Sequence, residues 1–200
     1  MSRASGKVAL VTGGASGIGR ASTIEFAKQG FSIVVADIDE QGAEETCNSI
    51  QTEVCATAVP IKVNVSQEDD VKAFVETIRT RFGKEGSIVI TSSTAGLQGM
   101  PEFAAYSCSK HALVGLMRST AAEYAGRIPV NCINPATTDT PMVARFAQQW
   151  PDWQAETNAS CPIGRIATAQ EIAETAVWVA TRATFMTGQT LVLDGGSMCS

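Results

Sequence analysis

The sequence predicts an α/β fold, a doubly wound parallel sheet of six strands. Short β-branched runs alternate with longer amphipathic segments. The runs are near-continuously apolar, as strands covered on both faces are. A glycine-rich turn joins the first run to the first helical segment. Strand–helix–strand order with short loops builds a parallel sheet with right-handed crossovers.

In chain order the strands read as Val8–Val11, Ser32–Ala36, Ala58–Val63, Ser87–Thr91, Ile128–Ile133 and Thr190–Leu193. The first helix turns Ala21, Ile24 and Ala27 inward. A second carries Val71, Phe74, Val75, Ile78 and Phe82 at helical spacing, behind the capping signal Ser66-Gln67-Glu68-Asp69. A third runs from about Tyr106 to Tyr124, with Leu113, Leu116 and Met117 inward. Thr168-Ala169-Gln170-Glu171 caps a fourth, carrying Ile172, Ala173, Ala176 and Val177. The stretch 137–162 breaks the alternation and carries Met142, Phe146, Trp150 and Trp153. It is a lid or a small helix pair patching the core.

Two hundred residues suit one domain spanning 1–200. Fifteen basic against twenty acidic side chains give a net charge of −5, which argues against a nucleic-acid partner. No apolar run approaches the roughly 18 residues of a membrane helix, and no signal-peptide core precedes the first strand. A cytoplasmic protein without a membrane partner is the expectation. Six cysteines without a C-x-x-C pair, and a single His, argue against a disulfide framework or a metal site. His111, beside Lys110, reads as a surface or interface residue.

The turn Thr12-Gly13-Gly14-Ala15-Ser16-Gly17-Ile18-Gly19 lets backbone approach a pyrophosphate. The helix behind it offers free N–H groups and partial positive charge to that anion. Asp37 follows Gly19 by 18 positions, where a carboxylate accepts hydrogen bonds from the adenosine ribose. It would repel a 2′-phosphate, and no basic residue follows directly, so NAD is favoured over NADP. Asp37 can also cap the next helix. Asn64-Val65 would lie under the adenine, although Asn is equally a strand-end turn residue.

Ser87–Thr91 ends in Ser92-Ser93; Tyr106 follows Ser93 by thirteen positions and Lys110 follows Tyr106 by four. Helix positions i and i+4 share a face, so the Lys110 ammonium can stand beside the Tyr106 phenol and favour its phenolate. Tyr106 is then a general acid/base for an alcohol or carbonyl oxygen that Ser93 also holds.

These stretches, with Asn134-Pro135 through Thr140-Pro141-Met142 and Thr187-Gly188-Gln189 through Asp194-Gly195-Gly196, resemble the short-chain dehydrogenase/reductase family in its compact single-domain form. The resemblance implies a Rossmann-type sheet, NAD(P), a small alcohol or ketone substrate, and Ser–Tyr–Lys catalysis by Ser93, Tyr106 and Lys110. It assigns cofactor contacts to Gly13, Ser16, Gly17, Ile18, Gly19, Asp37, Ile38, Asn64, Val65, Tyr106, Lys110, Pro135, Thr138 and Thr140. A homo-oligomer is also implied.

The family's Asn-Asn-Ala-Gly strand and the long interface helix after it are absent. Lys84-Glu85-Gly86 leads directly into what resembles the family's fifth strand. The missing block amounts to one to two βα units of about 30 residues each, and it reads as a skipped exon or a defective gene model. The preferred expectation is that Ser87–Thr91 moves into the vacancy and pairs with Val8–Val11, leaving six strands instead of seven. The alternative is a slot in the sheet. Loss of the interface helix weakens the oligomer, and displacement of Tyr106 weakens turnover. A truncated NAD-binding isoform acting as a binding or interaction protein is therefore the alternative function. Ala136 stands where the family prefers Gly.

Overall fold

Every described ladder is parallel in the computed structural model, which describes residues 7–82, 86–149 and 152–199. The side chains of residues 78–82, 153, 154 and 160 lie outside that description, so the expectations placed on Ile78, Phe82 and Trp153 do too, as does that on Trp150. The chain forms two compact units, Met1–Lys84 and Glu85–Ser200.

In the first unit β1 (Val8–Thr12), β2 (Ser32–Asp37) and β3 (Ala58–Lys62) lie in the order β1-β2-β3, with Val8 opposite Ser32 and Ile33 opposite Ala58. The crossovers are α1 (Gly17–Lys28) and α2 (Glu40–Ser49). A π turn, Ile50–Val54, extends α2 and ends at Cys55 in the left-handed region. The period of two along β2 separates two cores. Ile33 and Val35 pack with Ala9, Ala27, Ala43, Cys47, Ile50 and Ala58, while Val34 and Ala36 pack with Val63 and Phe74. Both faces of the sheet are thus covered, as the unbroken apolar strands require. Pro60 within β3 suits an edge strand, because it brings no N–H to a further ladder.

The helix α3 (Glu68–Phe82) follows. Its entry differs from a Ser66 side-chain cap. Asn64 Oδ1 accepts from the Ser66 N–H and hydroxyl, and Asp70 reaches back to the Asn64 N–H. Phe74 enters the core, but Val75 is exposed, contrary to the inward placement expected of it. One residue turns the helix by about 100°, which carries Val75 off the stripe that Phe74 buries.

In the second unit β4 (Ile88–Thr91), β5 (Val130–Pro135) and β8 (Thr190–Leu193) form a sheet in the order β4-β5-β8. β5 is buried along its whole length. Asn131, fully buried, donates to Met186 O and accepts from the Gln189 N–H, tying β5 to the chain entering β8. The helix α4 (Ala104–Glu123) packs Val114, Met117 and Ala121 on Val130 and Cys132. Leu116 is exposed, another departure from expectation, because the buried positions 114, 117 and 121 define a stripe that excludes 116. The pair β6 (Thr138–Asp139) and β7 (Ala167–Thr168) brackets α5 (Pro141–Ala147) and α6 (Trp153–Ser160). The last helix, α7 (Ala169–Thr181), starts with the full reciprocal capping box of Thr168 and Glu171 that the sequence predicts.

Among the described residues β1 pairs with β2 and β4 with β5, and the expected ladder between β4 and β1 is not among the described pairings. Each sheet keeps an edge without a described strand partner. On β1, the Ser32 N–H bonds Lys7 O, so by alternation the amides of Val8, Leu10 and Thr12 face that edge. Among the described residues there are six strands of four or more residues and two of two residues.

Ile33→Ala removes a side chain that is 1% exposed at the centre of the first core. It should lower unfolding stability by about 2–5 kcal/mol, read as a lower denaturant midpoint by far-UV circular dichroism.

Candidate active site

The turn between β1 and α1 is built around missing side chains. Gly13 has φ +71° and Gly17 φ +52°, both in the left-handed region. A Cβ on Gly19 would collide with the Gly13 carbonyl, and one on Gly14 would come within 2.7 Å of Val35 Cγ1. Gly19 therefore lets helix fold against turn. A Cβ at Gly13 would meet nothing within 4 Å, so that side of the turn is open. Ser16 is the N-cap of α1 and makes no side-chain cap bond. The first-turn amides of Gly17, Ile18 and Gly19 have no intrahelical acceptor, which is the donor set a diphosphate needs. The residues present thus fit the phosphates of a dinucleotide.

Asp37 ends β2. Its Oδ2 accepts from the Ala15 N–H at 3.0 Å and its Oδ1 from the Asp39 N–H at 3.0 Å. Capping of α2 falls to Asp39, which accepts from the Gly42 N–H at 3.1 Å. Ile38 is exposed beside Asp37. Asn64 Oδ1 is occupied by Ser66, and Val65 is exposed. Arg20, the cation nearest in sequence to the turn, is directed to α2, where it bonds Thr46, Gly42 O and Glu45.

In the second unit, Ser93 follows β4 and caps the short 3-10 turn Thr94–Gly96, its Oγ accepting from the Ala95 N–H at 3.2 Å. Ser92 donates to Lys110 O at 2.9 Å. A Cβ on Gly96 would stand 2.6 Å from Ser92 Oγ and 2.8 Å from Lys110 O, so this segment lies against the α4 backbone only because residue 96 is glycine. That contact sets Lys110 beside the end of β4. Its Nζ donates to Thr91 O at 3.4 Å and stands 5.5 Å from the Tyr106 ring centroid. By strand alternation Thr91 O faces the free edge of β4, since the Ser92 N–H is the one that bonds Ile133 O. Burial lowers the Lys110 amine from its ordinary value, and the nearby Cys132 acts in the opposite direction. Tyr106 is 39% exposed, leaving its ring accessible. His111 turns its Nδ1 to Ser107 O.

Sequence reasoning did not single out Asn134 as a site residue. It is fully buried at the end of β5, donates from Nδ2 to Ser93 O at 2.8 Å, and leaves Oδ1 without a partner. The signal was its place in a strand that is otherwise apolar at that end. Pro135 closes β5. Thr138 is buried and donates to Ala136 O at 3.0 Å, and Thr140 caps α5 through the Val143 N–H at 3.3 Å. Phe146 of α5 meets the Phe103 ring edge-on at 6.0 Å, while Met142 stays exposed. Among the described residues, no helix is long and apolar enough to cross a membrane, and no group of three or more His, Cys, Asp or Glu is placed to hold a metal.

Known proteins resemble the chain along nearly its whole length. The family model described as short chain dehydrogenase matches residues 7–84, and that described as Enoyl-(Acyl carrier protein) reductase matches residues 82–198. An A-factor type gamma-butyrolactone 1′-reductase of Streptomyces virginiae is 33% identical over 244 residues, covering 95% of both proteins. A 2,5-dichloro-2,5-cyclohexadiene-1,4-diol dehydrogenase of Sphingobium indicum is 31% identical over 250 residues, covering 98% of both. Both alignments run longer than the chain's own 200 residues, so at least 44 and 50 of their positions face no residue here. The crystal structure of L-sorbose reductase from Gluconobacter frateurii, complexed with NADPH and L-sorbose, shares the fold with a TM-score of 0.90 at 25% identity, covering 98% of both chains. The chain belongs to the short-chain dehydrogenase/reductase family of NAD(P)-linked oxidoreductases.

Proposed function

We propose that the chain interconverts a secondary alcohol and a ketone with NAD as the preferred cofactor. The observation that carries the proton-transfer half is the Lys110 amine 5.5 Å from the Tyr106 ring on one helix face. NAD(P), when bound, supplies the hydride acceptor or donor. Tyr106 exchanges the proton on the substrate oxygen. Lys110 stands beside the phenol ring and bonds the nicotinamide ribose. Ser93 holds the same substrate oxygen, with its backbone steadied by Asn134. Gly13, Ser16, Gly17, Ile18 and Gly19 hold the diphosphate, and Asp37 with Ile38 receives the adenosine ribose. Asn64 and Val65 border the adenine. Pro135, Thr138 and Thr140 hold the carboxamide end.

The NAD preference is supported by the Asp37 carboxylate and by the engagement of Arg20 with α2. Residues 137–162 act as a lid over the substrate. Phe146 against Phe103 and the exposed Met142 favour a largely apolar, cyclic substrate, in line with the ring-containing compounds in the two relatives' names. Six free cysteines fit a reducing compartment and support a cytoplasmic location.

Fluorescence titration should show saturable NADH binding, with NADPH binding weaker. Asp37→Ala should narrow that gap at least about tenfold, because removing one charge a few ångströms from a phosphate is worth on the order of 1–4 kcal/mol. Equal affinity for both cofactors in the unsubstituted protein would end the NAD assignment.

Tyr106→Phe should lower kcat on cyclic secondary alcohols about 10²–10⁴-fold, the usual worth of a placed acid/base, with a far smaller effect on NADH affinity. Turnover followed at 340 nm that survives this substitution would remove Tyr106 from the chemistry. NADH binding with no turnover on any alcohol or ketone would overturn the dehydrogenase reading and leave the nucleotide site standing.

A further inference from the structure

Thr46 is fully buried in α2, a polar side chain in a core otherwise filled by Ala43, Cys47 and Ile50. Its oxygen lies 2.9 Å from Arg20 Nε, 2.9 Å from Gly42 O and 3.1 Å from Gly14 O. A hydroxyl has one proton to give, so it cannot serve both carbonyls at once. Arg20 resolves the competition. Its Nε–H donates into the Thr46 oxygen, which turns the hydroxyl proton toward the carbonyls. Its Nη2 also donates to Gly42 O at 3.3 Å, so that carbonyl has a side-chain donor of its own. The Thr46 proton is then available to Gly14 O.

Gly14 O belongs to the same peptide group as the Ala15 N–H, and that N–H donates to Asp37 Oδ2 at 3.0 Å. A trans peptide is planar, with its oxygen and hydrogen pointing opposite ways. A bond at each end therefore fixes the rotation of the plane. We propose that Thr46, set by Arg20, is a positioning residue: together with Asp37 it clamps the Gly14–Ala15 peptide and so aims the following amides, through Gly19, at the diphosphate. This assignment rests on the turn being the diphosphate site. It gives Asp37 a second duty besides receiving the ribose, and it connects α2, which touches no phosphate, to cofactor affinity.

Thr46→Val keeps the shape and removes the hydroxyl; Thr46→Ser keeps the hydroxyl. Two measurements on the full chain test the clamp. In the cofactor-free protein, amide exchange followed by NMR should speed up about tenfold at Ala15 in Thr46→Val, the effect of losing one hydrogen bond worth about 1–1.5 kcal/mol. Exchange at Val35 in the neighbouring strand should stay constant, and Thr46→Ser should exchange at the original rate. ADP titrated by calorimetry should bind Thr46→Val about tenfold more weakly and Thr46→Ser within about twofold of the original. Uniform acceleration across β2 and the turn in Thr46→Val would show a packing role only and overturn the proposal, as would unchanged Ala15 exchange. Failure of the unsubstituted protein to bind ADP would refute the diphosphate reading, while the exchange data would still decide the clamp.

Discussion

The closure of the β1–α1 turn on residues without side chains is the constraint from which the architecture of the first unit follows. Gly19 must pass the Gly13 carbonyl at a distance that no Cβ allows, and Gly14 must lie against Val35. Only then does α1 begin directly behind the turn with its unsatisfied amides pointing outward. The steric requirement also decides what surrounds it. Val35 has to be buried and small, Thr46 comes near enough to reach Gly14 O, and Asp37 comes near enough to reach the Ala15 N–H. Arg20 braces α2 through Thr46 and Gly42 O.

The second unit uses the same device at Gly96. There the missing side chain lets the segment after β4 lie on the α4 backbone at Lys110. Placing the lysine backbone also places its amine, half-buried near Thr91 O and the Tyr106 ring. Burial weakens the ammonium, and a carbonyl and an aromatic face offset part of that cost. Two glycine contacts, one per unit, thus bring the chemistry-bearing backbone to its position.

β1 and β4 each have one edge without a described strand partner. Two family models meet at residues 82–84, and the relatives carry at least 44 positions that this chain lacks. Edge strands ordinarily carry charge, proline or a covering element. β3 has its proline at 60, but β1 and β4 are apolar throughout apart from Thr12 and Thr91, as strands built for the interior of a sheet are. Their composition preserves the memory of neighbours on both sides.

What is local was legible in the residues: the strands, because an apolar run buried on two faces needs no long-range information; the glycine turn, because its conformation restricts residue type; the Tyr106–Lys110 face, because helical spacing alone sets it; and the Thr168–Glu171 cap. What depends on contacts distant in sequence was decided by tertiary structure. The register of β4 on β5, and of β5 on β8, joins segments about 40 to 60 residues apart in the chain. Val75 and Leu116 turned outward, because a helix buries only the stripe its neighbours cover. Asn134 reached Ser93 and Thr46 reached Gly14 across 41 and 32 residues of chain, and no spacing rule relates positions so far apart before the fold brings them into one hydrogen-bonded group.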